Sequence, residues 1–152
     1  MITILCVMTN SNYNHIPNLD LWDINRNAYN YTGNNIVITH APCQQWSKMK
    51  SFAKENKKEK ELAFFCYEKV QKNGGIFEHP AGSDFFKIVN IPRNKIISVN
   101  QHWWGFPAQK KTYLYFNQIS PLPVPLNFNA VQKKVINMAQ NKRSLMTTSF
   151  CP

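Results

Sequence analysis

Acidic residues are scarce in this chain. Its 152 residues include 8 Asp+Glu against 18 Lys+Arg, a formal charge of +10, although charged residues make up only 17% of the total. A domain so biased attracts polyanions, and nucleic acid, nucleotides and acidic membrane surfaces are the candidate partners. Excess lysine that merely keeps the protein in solution is the plainer reading. No apolar run approaches the ~18 residues of a membrane span, so no membrane partner is expected. The start, MITILCVMTNSNY, has neither a basic lead nor a small-residue cleavage site, so no signal peptide is expected and the cytoplasm is the expected compartment. Disorder of the whole chain is excluded by 43% hydrophobic and 13% aromatic residues. There is no internal repeat and no linker, so 1–152 reads as a single domain, with 141–152 a candidate flexible tail.

No C-x-x-C pair exists. Cys6, Cys43, Cys66 and Cys151 are scattered, which without a secretion signal argues for reduced thiols rather than a disulfide frame. G-x-x-x-x-G-K-S/T and G-x-S-x-G are both missing, so P-loop and serine-hydrolase readings lack their signatures. His40-x-x-Cys43 is the only close His/Cys pair. A nucleobase deaminase would need a second Cys shortly after Pro42-Cys43 and a Glu following a His, whereas Glu78 precedes His79. No metal is expected.

What is present is a series of strand signals alternating with helical ones. Ile2–Val7 and Leu19–Asp23 read as strands, and Asn35–His40 is the clearest, ended by Pro42. From Glu59 to Lys72 the pattern turns helical, with Leu62, Phe65, Cys66 and Val70 on one face, and Asn73-Gly74-Gly75 stops it. Ile76–Glu78 reads as a short strand broken by His79-Pro80. Ser83–Val89 reads as one or two helical turns, Lys95–Val99 and Lys111–Phe116 as strands, and Ala130–Gln140 as a helix. The expected fold is α/β: a Rossmann-like, open and mostly parallel sheet with flanking helices. An uncovered edge strand would allow a homo-oligomer.

Three segments carry candidate chemistry. Cys43 follows the best strand on a turn, His40-Ala41-Pro42-Cys43-Gln44-Gln45-Trp46-Ser47. Open α/β sheets place ligands at such strand ends, and a thiolate there is a nucleophile. An inert cysteine near a strand end is the competing reading. Glu78 ends an apolar strand, where partial burial suits a carboxyl to proton transfer; a capping or ion-paired Glu competes with it. Trp103 and Trp104, with Phe106, Lys110 and Lys111, offer aromatic faces and cations that can stack a base and hold a phosphate; a hydrophobic turn packed on the core is the alternative.

Taken together and in order, these segments resemble the catalytic core of cytosine-C5 DNA methyltransferases. That family has a strand entering a Pro-Pro-Cys-Gln turn followed by Ser, matched here by Ala41-Pro42-Cys43-Gln44 and Ser47. Its strand ending in Glu-Asn-Val is matched by Ile76-Phe77-Glu78-His79-Pro80. Its Tyr-Gly-x-Pro-Gln-x-Arg-x-Arg segment is matched by Trp104-Gly105-Phe106-Pro107-Ala108-Gln109-Lys110-Lys111. The 35 positions between Cys43 and Glu78 are similar to the family's separation. The whole chain also resembles a group of short phage and prophage proteins that share W-D-I/A-x-R-x-A, P-P-C, E-H-P-A-G-S and W-W-G-H-R-A-x-K segments.

The resemblance implies a reduced methyltransferase-like core. Cys43 and Glu78 would be catalytic, the thiolate adding to C6 of a cytosine ring and Glu78 holding N3 and N4. Pro42, Gln44, Ser47, His79, Trp103, Trp104, Gln109, Lys110 and Lys111 would meet the substrate. Asp23 would hold the ribose of S-adenosylmethionine, although the loop after the first strand, Met8–Tyr13, has none of the glycines that let the donor approach backbone. No segment is long enough for a separate DNA target-recognition region. Three functions follow as expectations: a methyltransferase-like enzyme acting on a pyrimidine base, a non-catalytic nucleotide-binding protein that counters a host defence, and a small DNA-binding module using Lys48–Lys60.

Overall fold

Each segment read as a strand pairs with a neighbour. The structure, a computed structural model, describes residues 1–47, 51, 55–104 and 110–121. Six strands, β1 (Ile2–Leu5), β2 (Leu19–Trp22), β3 (Ile36–His40), β4 (Gly75–Pro80), β5 (Ile96–Asn100) and β6 (Lys111–Asn117), form one sheet in the order β2-β1-β3-β4-β6-β5. The pairs β1–β2, β1–β3 and β3–β4 are parallel, while β6 runs antiparallel to both β4 and β5. The sheet is therefore mixed. The expected parallel character holds for the first four strands, and the antiparallel β6 inserts between β4 and β5. The helix Ala130–Gln140, the tail 141–152, Gln109 and most of Lys48–Lys54 lie outside the described residues.

Helix α1 (Lys57–Asn73) links β3 to β4. Asn56 caps it by accepting the Glu59 N–H at 3.3 Å, and Glu59 accepts from the Asn56 side-chain amide at 3.1 Å. Its buried stripe, Ala63, Cys66 and Val70, follows the three-and-four spacing. Gly74 ends it at φ 76, its N–H reaching the Val70 carbonyl. The stripe covers one face of the sheet. Leu5, Val37, Phe77 and Tyr115 belong to that core, and a short helix α2 (Phe85–Ile88) closes it with Phe85 stacked 4.8 Å from Phe77.

Strand alternation then separates the residues of Glu78-His79-Pro80. Phe77 and His79 point to the α1 side, and Glu78 points to the other face with its pairing partner His40. The strand does not break at His79-Pro80 as the sequence suggested. It continues to Pro80, which pairs with Thr112. The reason is geometric: β3 ends opposite Glu78, so beyond that point one flank of β4 has no neighbouring strand and asks for no N–H donor.

Candidate functional site

The chain leaves β1 toward β2 on one side and returns to β3 on the other. This reversal of strand order opens a crevice beyond the carboxyl ends of β1 and β3, the position where open α/β sheets bind ligands. A pocket of about 330 Å³ lies there, lined by Cys6, Val7, Met8, Asn10, Ser11, Asn12, Tyr13, Ile16 and His40. That volume is at the small end of ligand sites. Where a glycine-rich loop would begin, Cys6 itself takes a left-handed backbone, φ 60. This conformation is uncommon for any residue with a Cβ.

A buried polar chain runs from this pocket into the sheet edge. The Tyr13 hydroxyl lies 2.9 Å from His40 Nε2, and His40 Nδ1 lies 3.3 Å from Glu78 Oε2. Both the imidazole and the carboxylate are buried, with side-chain exposures of 7% and 9%. An ionised carboxylate only accepts, so His40 Nδ1–H donates to Glu78 and Nε2 is left to accept from Tyr13. Burial, and then the Glu78 charge, raise the Tyr13 hydroxyl above its ordinary pKa, which keeps it a donor. Among the described residues Glu78 Oε1 has no hydrogen-bond partner. A buried carboxylate oxygen without a donor is costly. Burial pushes the Lys110 ammonium below its ordinary pKa, and the nearby Glu78 charge partly offsets this.

The turn after β3 is anchored at several points. His79 is fully buried. The Ser83 hydroxyl meets its Nδ1 at 2.7 Å, and its Nε2 lies 3.2 Å from the Pro42 carbonyl. A carbonyl only accepts, so Nε2 carries the proton and Nδ1 accepts from Ser83. The Ser83 oxygen in turn accepts the Phe85 N–H. Desolvation lowers the His79 pKa to about 4, overriding the Pro42 hydrogen bond and the nearby Glu78 charge, which favour the protonated ring. Further along, the Trp46 carbonyl accepts the Asp84 N–H, and the Trp46 ring packs edge-on to Phe64 and Phe85.

The structure distributes the expected site residues unevenly. Glu78 and Lys110 share one electrostatic environment, and Pro42 and Cys43 lie on the anchored turn beside it. His79 was expected to meet substrate. Sealed and with both ring nitrogens engaged, it supports the Cys43 turn instead. Cys43 is half-buried and disulfide-bonded, contrary to the reduced thiols expected. Cys6 and Cys66 are free. Ser47 turns back to donate to the Gln44 carbonyl, and Gln44 is exposed. Trp103 and Trp104 are each 41% exposed and pack edge-to-face 5.8 Å apart, and exposed Lys111 pairs with Asn100 at the end of β5.

Asp23 lies just past β2 in an Asx-type turn, where it accepts the Asn25 and Arg26 N–H groups and the Asn25 amide. Desolvation opposes its charge, but hydrogen bonds from Arg26, Thr9 and Asn25 together outweigh it and hold the carboxyl below its usual range. Asp20, not Asp23, is the acid within β2, and it too is engaged, by Thr3, Trp22 and Arg26. Tyr13 and His40 were not among the expected site residues. The one sequence signal for them is a His closing the clearest strand, immediately before the Pro-Cys turn. Among the described residues no group of three or more His, Cys, Asp or Glu is placed to hold a metal, and no helix is long and apolar enough to cross a membrane. No protein-family model and no curated protein matches this sequence.

Proposed function

We propose that the chain binds a pyrimidine nucleotide at the carboxyl edge of its sheet, on a reduced, Rossmann-like and methyltransferase-like core. The carrying observation is Glu78: one carboxylate oxygen is held by His40, and the other is buried and has no partner among the described residues. Such an acceptor suits an exocyclic amino group like N4 of cytosine. The reversal of strand order at β1, with the pocket beside it, supports a ligand at this edge. Lys110 and Lys111 at the same edge, and the net charge of +10, suit a phosphate.

The residues do not fit S-adenosylmethionine. Both Asp23 oxygens are engaged by its own turn, and side chains from Met8 to Tyr13 stand where a donor would need bare backbone. Covalent capture of the base is a second reading, favoured by the rigid anchoring of the Cys43 turn through His79 and Trp46. It requires Cys43 as a thiolate, hence reduction of its disulfide; addition to C6 would build negative charge at N3, which a protonated Glu78 would neutralise.

Calorimetric titration of the reduced protein with CMP, dCMP, UMP and GMP tests the proposal. Cytidine nucleotides are expected to bind most tightly, and Glu78→Gln to weaken them about 10- to 100-fold, the value of a hydrogen bond to a charged group. Equal affinities in wild type and Glu78→Gln, with both melting alike, would refute it.

A further inference from the structure

The two free cysteines meet although 60 positions separate them in the sequence. Cys6, at the end of β1, and Cys66, in the middle of α1, place their sulfurs 3.5 Å apart. Their surroundings differ in a way that matters chemically. Cys6 is partly exposed and lines the pocket at the sheet edge, whereas Cys66 is fully buried in the core. Cys6 is also the residue held at φ 60, so its backbone is in a region usually left to glycine. Strained residues of this kind cluster at functional positions.

We propose that Cys6 and Cys66 are a redox-active dithiol, with Cys6 the thiol that meets a hydroperoxide in the pocket and Cys66 the resolving thiol. The arrangement is that of redox-sensing cysteines, one accessible and one poised next to it. In the first step the Cys6 thiolate attacks the peroxide. An S–O bond forms as the O–O bond breaks, sulfur is oxidised to the sulfenic acid, and the departing oxygen takes a proton and leaves as water or an alcohol. In the second step the Cys66 sulfur attacks the Cys6 sulfenic sulfur. An S–S bond forms, the S–O bond breaks, and the hydroxyl leaves as water with the Cys66 proton. Overall, two thiols and one hydroperoxide give one disulfide, one water and one water or alcohol. The hydrogen bond to Cys6, followed by burial, raises the Cys66 pKa well above that of an ordinary thiol. Cys66 therefore keeps its proton, while Cys6, partly exposed on the pocket wall, is the thiol a peroxide can reach.

Closing the bond brings the sulfurs from 3.5 Å to the ~2.05 Å of a disulfide and draws the Cys6 sulfur off the pocket wall toward α1. Oxidation thus reshapes the same crevice that His40 and Tyr13 line. This inference is independent of which ligand the pocket takes.

The test uses the full chain, fully reduced, freed of reductant and treated with one equivalent of hydrogen peroxide. Trypsin separates the two cysteines into peptides ending at Arg26 and Lys69, apart from the one that carries Cys43. The expected product is a linked pair of these two peptides about 2 Da lighter than their sum, reversed by dithiothreitol. In Cys66→Ser the link is lost, and Cys6 is instead trapped by dimedone as its sulfenic acid; in Cys6→Ser neither product forms. A dimedone adduct on wild-type Cys6 without the link, linkage only to other cysteines, or both thiols surviving peroxide would each overturn the proposal.

Discussion

Acid should weaken this fold through one residue, His79. Its pKa falls from 6.5 to about 4 because burial removes the charged form from water. In the unfolded chain the imidazole binds a proton below about 6.5. Between the two values the unfolded state holds more protons than the folded one, so stability declines as pH falls through that window and levels off below it. The span of about 2.5 units, at 1.36 kcal/mol per unit, gives about 3 kcal/mol lost between pH 7 and pH 4. The loss arises because the exposed imidazole of the unfolded chain takes up a proton that the ring buried between Ser83 and Pro42 does not. Urea unfolding of wild type and His79→Gln at half-unit steps from pH 7 to pH 4 isolates the effect. The variant is expected to be less stable at pH 7, having lost the bond to Ser83 and part of the ring packing against Phe77 and Phe85. Its deficit should shrink by about 3 kcal/mol at pH 4, since a glutamine does not titrate. Asp20, held below the ordinary carboxylate range despite its desolvation by bonds from Trp22, Arg26 and Thr3, contributes chiefly at lower pH and equally in both proteins. A deficit that stays constant across the range would refute the reasoning.

Two further predictions follow from close contacts at the sheet. Gly75→Ala is expected to prevent folding to a soluble monomer, read by circular dichroism and gel filtration: Gly75 has φ 132, and an added Cβ would meet the Val37 carbonyl oxygen at 1.8 Å, across the β3–β4 pairing. Tyr13→Phe removes the hydroxyl from His40 and should cost about 1 kcal/mol in urea unfolding, while shifting the His40 ring nitrogens in nitrogen-edited NMR.

Several features of this molecule were legible in the linear sequence. Asn35–His40 and the Glu59–Lys72 pattern mark a real strand and helix, β3 and α1, because β-branched runs and three-and-four apolar spacing are local signals. The Pro-Cys turn after β3 and the acid at the end of β4 do lie at one edge of the sheet, as an alternating α/β pattern implies. The fate of Glu78-His79 was not legible. Two adjacent polar residues look alike in sequence, and only the pleat of a formed strand sends one into the core and the other to the opposite face. Asp23 shows the same limit: its local turn, not its place at a strand end, took its oxygens.

The sequence alone determined the elements that depend on neighbours a few residues apart: the strand cores, the amphipathic stripe of α1 and its Gly74 stop. Only the tertiary structure decided which groups meet, because pairing β3 beside both β1 and β4 brings together residues tens of positions apart. Tyr13 reached His40, His40 reached Glu78, and Cys6 reached Cys66 through strand order and register, and no local spacing encodes those distances.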